Sequence, residues 1–269
     1  MAIADLDTYK AELGAQRDIN GLNVATITTA AGRWYDLWTV TPPVGAAPTT
    51  AAAPTRTTAG ALGQENPASG SQKSIIGVRF SALNPGQYML IDRLSHQGGL
   101  SGIVTTAQTT NLPTSALTRY TSGEGVMIGL TIYTQIGTTA TTVSATYTNS
   151  GGTGSRVTPL VVFGGTAFRE ARRMVLLPLQ AGDTGVQSVQ SVTVTATTGT
   201  AGAFGVTLFK PLYVICVPDG SGVLPAGGYL SGSTFGGIPA VVDNACISLL
   251  YCGMSTNAQG AGAVLFSEN

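Results

Sequence analysis

In QSVQSVTVTATTG, residues 187–199, Val192, Val194 and Ala196 alternate with Thr193, Thr195 and Thr197. A period of two puts the apolar side chains on one face of a pleated strand and the hydroxyls on the other. Similar alternation, or short apolar runs, recur in SIIGVRFSAL, QYMLIDRL, GIVTTAQT, GVMIGLTIYTQ, TVSATYT, RVTPLVVF, RMVLLPL, AFGVTLF, LYVICV, AVVDNACISLLYC and GAVLF. Between them NPG, GEG, NSGGTG, QAGDTG, TTGTAG and PDGSG supply turns. Residues 73–269 are therefore expected to form an all-β domain, a β-sandwich and most simply a jelly roll. No fixed period repeats, which weighs against a propeller or a β-helix.

Ahead of residue 73 the pattern changes. Ile3, Leu6, Tyr9 and Leu13 recur at helical spacing, with Asp5 and Asp7 near the positive end of the dipole and Gly14 as a stop. This predicts a short amphipathic helix that needs a surface to lie on. NVATITTAAGRWYDLWTV follows as a strand-like stretch holding Trp34, Tyr35 and Trp38. These aromatics are either anchors of a core or arm, or an interface hot spot. Residues 1–40 are expected to act as an attachment arm. Residues 41–72, rich in Pro, Ala and Thr, have too few large apolar groups for a core and are expected to be an extended low-complexity linker.

Charge alters this picture more than size does. Only 10% of the 269 residues are Asp, Glu, Lys or Arg, against roughly 25% in ordinary soluble domains. The 13 basic and 13 acidic residues cancel. So few ionic groups protect an isolated monomer poorly against self-association, so much of the exterior is expected to be covered by partners. The balance argues against dedicated nucleic-acid binding. Asp5, Asp7, Lys10 and Glu12 stand where a secretory signal would place its apolar core, and no apolar run is long enough to span a membrane. An outer-membrane barrel is set aside for want of an export signal. Cys216, Cys246 and Cys252 are an odd number in apolar contexts and are expected to be buried reduced thiols of a chain made in the cytosol, with a Cys246–Cys252 bridge as the lesser alternative.

Candidate chemistry is sparse. His96 has Asp92 and Ser95 nearby, but neighbours on a strand diverge, so a hydrogen-bonded strand-end histidine is expected rather than a nucleophile's base. One imidazole and the cysteine spacing match no zinc pattern. The acids are scattered singly; Glu124, Asp183 and Asp219 lie beside turn glycines and are expected to stabilise turns, with a calcium or glycan contact as the alternative. GGTGS and GAGA lack the following helix and lysine of a phosphate loop. The one charge cluster is AFREARRM, with Arg169, Glu170, Arg172 and Arg173. It is expected to be a solvated loop, or an interface loop whose arginines grip a neighbour's carboxylates, with packaged nucleic acid a smaller alternative. No enzyme activity, cofactor, metal or small-molecule substrate is expected.

MVLLPLQAGDTGVQSVQSVTVTATTGTAGAFGVTLFKPL, with DRLSHQGGLSGIVTTAQTTNLP, RYTSGEGVMIGLTIYT, DLDTYKAELGAQ and RWYDLW, resembles a family of tailed-bacteriophage virion proteins. The resemblance covers most of the chain and implies a structural part of the particle, placed as a head decoration or cement protein. It implies major capsid protein and copies of itself as partners, commonly as a trimer, in a virion assembled in the host cytoplasm. It transfers no functional residues. On this view Ile3, Leu6, Tyr9, Leu13, Trp34, Tyr35, Trp38, Arg169, Arg172 and Arg173 are the candidate subunit-interface residues. A tail, baseplate or fibre-attachment adaptor and a host-glycan-binding module are the alternatives.

Overall fold

The computed structural model describes residues 20–38, 49–82, 84–217, 240–254 and 257–268. The helix expected over Ile3, Leu6, Tyr9 and Leu13 lies outside them. Every regular element within them is a strand, and every strand pair is antiparallel, as the alternation requires.

A four-stranded sheet runs β1 (Asn20–Thr28), β15 (Asn257–Glu268), β3 (Lys73–Ala82), β13 (Ala240–Val241). A six-stranded sheet runs β10 (Met174–Leu177), β6 (Met127–Thr134), β12 (Ala203–Val217), β4 (Gly86–Leu100), β14 (Ile247–Gly253), β2 (Trp34–Asp36). The third sheet runs β5 (Gln108–Leu112), β11 (Val186–Val194), β7 (Ala140–Asn149), β8 (Arg156–Val157), with β9 (Val161–Gly164) also on β7.

The six-stranded sheet curls back on itself. Tyr35 of β2 bridges Arg173, next to β10, and the Asp36 amide donates to the Arg172 carbonyl at 2.8 Å. The Asp36 carboxylate meets Arg93 of β4 and lies 3.5 Å from the Thr131 hydroxyl of β6, so it reaches across the interior. The sheet is a small barrel, and small barrels fill their interior with side chains.

Two sandwiches share the outside of this barrel. Leu90 of β4 packs in a cluster with Ile75, Val78 and Val264 of the four-stranded sheet. Leu94 packs with Val143, Tyr147 and Val192 of the third sheet. Asp92, fully buried, separates them. Ile91, Phe209, Leu250 and Met174 form the third cluster, inside the barrel. Gly129 of β6 makes room for it: a Cβ there would stand 2.8 Å from the Met174 sulfur and 3.2 Å from the Phe209 ring.

Several strand boundaries differ from the expected ones for local reasons. AFGVTLF and LYVICV are one strand, β12, which carries Pro211 because the register shifts between Pro211 and Tyr213; bulges tolerate a missing donor. QYMLIDRL continues through SHQGGL to Leu100, because the buried polar residues there find partners inside the fold. RVTPLVVF is split around Pro159 into β8 and β9, and only the end of GIVTTAQT pairs, as the start of β5. The stretch 23–40 divides into β1 and β2 at a turn where Gly32 has φ +71°.

Of the expected arm and linker, residues 20–28 and 34–36 are sheet strands. In 49–72, Ala52 exchanges backbone hydrogen bonds with His96 at 2.9 and 2.8 Å, and the Leu62 amide donates to the Ile247 carbonyl at 2.7 Å. This segment, poor in large apolar groups, lies on its own domain through backbone pairing rather than through a core of its own.

Candidate functional site

Inside the barrel a polar tier sits beside the apolar plug. Arg93 pairs with Asp36 and donates to the Ser248 hydroxyl at 2.8 Å. The Trp38 ring lies over the guanidinium at 4.2 Å, and its indole N–H donates to the Ala59 carbonyl at 2.6 Å. On the outer side of the same wall Arg119 grips Asp92 with two bonds of 2.9 Å, while Asp92 accepts the Cys246 amide at 2.8 Å. Arg119 also donates to the Pro54 and Arg93 carbonyls at 2.9 and 2.6 Å, pinning the segment 49–72. Burial pushes Asp92 up, opposed by Arg119 and the Cys246 amide.

His96 lies within β4 rather than at a strand end, because the strand continues to Leu100, and it belongs to the interior tier. Its Nδ1 is 2.8 Å from the Thr207 hydroxyl and its Nε2 2.6 Å from the Tyr133 hydroxyl, so both ring nitrogens are engaged. Burial, aided by the Arg93 charge, pushes its pKa down to about 3. Ser95 stands opposite Leu208, whose side chain lies in the outer core, whereas His96 stands opposite Thr207. The two side chains diverge, and no serine-activating pair forms. Burial also pushes the Cys246 thiol up to about 12, which leaves it protonated and unreactive. All three cysteines are free, but the expected burial holds for Cys246 alone: Cys252 is half-buried, and Cys216 is exposed because it stands opposite exposed Gln87 near the end of β12.

The lone histidine makes a pH prediction. A folded pKa below the unfolded value of about 6.5 means stability is full above that value and falls as pH drops towards about 3, because only the unfolded chain takes up the proton. Between about pH 8 and about pH 5 the loss is about 2 kcal/mol. Urea unfolding midpoints across that range should show it in the native chain and not in His96→Gln; equal slopes in both would overturn the assignment.

The arginine cluster lies on the seam that closes the barrel. Glu170 is its hub: it accepts the Tyr35 hydroxyl at 2.6 Å, Arg33 at 3.0 Å and Arg173 at 3.3 Å. Burial pushes Glu170 up, but the Tyr35 hydroxyl, Arg33 and Arg173 outweigh it and hold the carboxyl below its ordinary value. Arg33 and Arg173 flank the Phe168 ring at 5.4 and 4.6 Å. Arg172 has φ +68°, where a side chain is disfavoured. Its backbone joins β6 to β2, donating to the Ile132 carbonyl at 2.7 Å and accepting from Asp36. The Arg169 and Arg172 guanidinium groups meet no ion-pair partner among the described residues.

The third sheet presents a different kind of surface. Ser188, Ser191 and Thr193 of β11 stand opposite Thr148, Thr146 and Ser144 of β7, facing away from the buried Val189, Val192 and Val194. QSVQSVTVTATTG is thus β11 as expected up to Val194; Ala196 lies past the strand end and is exposed. The only Lys, Arg, Asp or Glu on the five strands of this sheet is Arg156, opposite the buried Tyr147 and paired with Asp183 at 3.0 Å. Asp183 is held down at about 2, foremost by the Tyr147 hydroxyl, with Asn149 and Arg156 adding. Along the β8–β9 edge Val157, Leu160 and Val162 are exposed, Leu160 by 61%.

The candidate interface residues therefore scatter. Tyr35 and Arg173 are buried in the seam. Trp34 packs against the barrel plug and Trp38 on Arg93. Arg169 and Arg172 are half-buried, and Ile3, Leu6, Tyr9 and Leu13 are outside the described residues. Sequence reasoning missed the Arg93–Asp36 and Arg119–Asp92 pairs. Their signal was present: LIDRLS and WYDLW place charges inside apolar strands, which buried ion pairs alone make tolerable. Among the described residues no group of three or more His, Cys, Asp or Glu is placed to hold a metal, and no helix is long and apolar enough to cross a membrane.

Compared with family models, with curated proteins and with solved structures, the chain matches none.

Proposed function

We propose that this chain is a structural protein of a tailed-phage particle, a decoration or cement protein that binds across major capsid protein subunits and works alongside copies of itself, without catalysis. The observation that carries the reading is where the charges go. In a chain with only 10% charged residues, Asp36, Asp92, Arg93 and Arg119 are buried in the barrel wall, and Asp183 and Glu170 are occupied by Arg156, Arg33 and Arg173. Among the described residues the exterior is left poorer in charge than the composition alone implies. Surfaces of that kind are favoured where neighbours cover them, since hydroxyls lose little on desolvation beside buried ions. In this reading the sandwiches serve as the jelly-roll-like module that cements neighbours, and the N-terminal residues tether it.

The glycan alternative draws no support from the aromatics, since Trp34 and Trp38 are engaged within the barrel. The test is co-sedimentation of the purified chain with undecorated phage heads and, separately, with tails. Deleting residues 1–40 would remove β2 and strip Arg93 of Asp36, so the informative truncation ends at residue 19. The full chain should saturate heads at hundreds of copies per particle, and the truncated chain should stay folded but lose at least tenfold in affinity. Binding to tails alone, or undiminished head binding after truncation, would overturn the decoration reading.

A further inference from the structure

We propose that the outward face of the five-stranded sheet is a contact with a second copy of this chain. Three observations point to a copy rather than to an unlike partner. First, the strands carry no charge on that face: their one charged residue, Arg156, is opposite buried Tyr147 and tied to Asp183. Against a charged partner such a face offers no counter-ion, whereas against itself it meets no like-charge repulsion. Second, the paired rows Ser191–Thr146 and Thr193–Ser144 consist of hydroxyls, each both donor and acceptor, so the surface can hydrogen-bond to its own duplicate. Third, the β8–β9 edge supplies the apolar part. Val157 stands opposite Thr146 and Val162 opposite Thr142, both on the outward side, and Leu160 projects between the two strands.

The area is that of a small contact. At about 4.8 Å between strands and about 3.3 Å per residue, the 30 residues of the five strands, edge included, give a face of about 480 Å² before side-chain relief. That is below the roughly 800 Å² per partner of a standard interface and places the contact in the small, reversible class. Hydroxyls and amides also pair across the strands. Thr142 and Thr195 are 2.8 Å apart through their hydroxyls, and Gln190 ties Thr148 to Ser188 at 3.0 and 2.8 Å.

This contact shares the covered-exterior argument above but not the phage assignment. It is read on the purified full-length chain without any particle, so it fails or holds separately from head binding. Sedimentation equilibrium should show an oligomer at micromolar concentration. Thr146→Lys in the sheet and Leu160→Lys in the exposed connection should each raise its dissociation constant about tenfold or more, since each buries an unpaired ammonium. Asp243→Lys, in the exposed turn between β13 and β14, should leave it unchanged. Leu160→Lys guards against misfolding, because residue 160 lies outside any strand. A monomeric native chain, or an oligomer that keeps its affinity in both face variants, would overturn the proposal.

Discussion

Arg93→Met is expected to destabilise the fold by about 3–5 kcal/mol, because it leaves a buried carboxylate without its counter-ion. Asp36 is 6% exposed, and among the described residues its carboxylate has, beyond Arg93, only the Trp38 amide at 3.0 Å and the Thr131 hydroxyl at 3.5 Å. The variant also loses the bond to Ser248 and the stacking of Trp38, whose ring has no other cation beneath it among the described residues. The double variant Asp36→Leu, Arg93→Met should recover most of the loss, since an apolar pair of similar volume carries no desolvation cost. Guanidinium unfolding of the four members of this cycle checks it. A single-variant loss under about 1 kcal/mol would mean that water reaches the pair, as it does at surface ion pairs. The barrel would then not be closed at Asp36. The prediction therefore tests the least local feature of the fold, the bridge between Tyr35 and Arg173.

That bridge was also the feature least visible in the chain. Alternation in residues 187–194 and 140–149 shows which side chains are buried, because a strand's two faces depend only on neighbours two apart. Which strand lies beside which depends on contacts between distant residues, and β2 reaches Arg173 across more than half the sequence. The all-β class was legible, while the closure of six strands into a barrel with a sandwich on either half was not. Residues 49–72 show a second limit. Composition denies them a core of their own, yet backbone groups at Ala52 and Leu62 need no particular side chain to pair with β4 and β14. At AFREARRM, residue type announces a charge cluster but not its direction. Glu170 turns inward because Arg33 and Tyr35, from a distant stretch, happen to complete its bonds, and Arg169 and Arg172 are left over. The outward face of β11 and β7 was the most legible candidate surface, since its lack of charge is a property of the sequence itself.

Phe209→Ala should cost about 3–5 kcal/mol, the range for an aromatic removed from a closed core. Phe209 is fully buried with Ile91, Leu250 and Met174, and the barrel wall around it is hydrogen-bonded on both flanks of β12, so the strand cannot collapse into the void. The facing position makes the test specific. In the native chain Gly129→Ala puts a methyl 2.8 Å from the Met174 sulfur and 3.2 Å from the Phe209 ring, and crowding of this kind costs about 1–3 kcal/mol. In the Phe209→Ala background the ring contact is gone while those to Met174 remain, and the same methyl can shift into the space the ring vacated. The two substitutions should therefore combine to less than the sum of their separate losses, with a coupling of about 1 kcal/mol or more measured by urea unfolding of all four chains. Strict additivity would place position 129 out of contact with Phe209, which is incompatible with a Cβ at 129 and the Phe209 ring facing one interior. The sign of the coupling thus reports on whether β6 and β12 present these residues to a shared, filled barrel, independently of the ion pair above it.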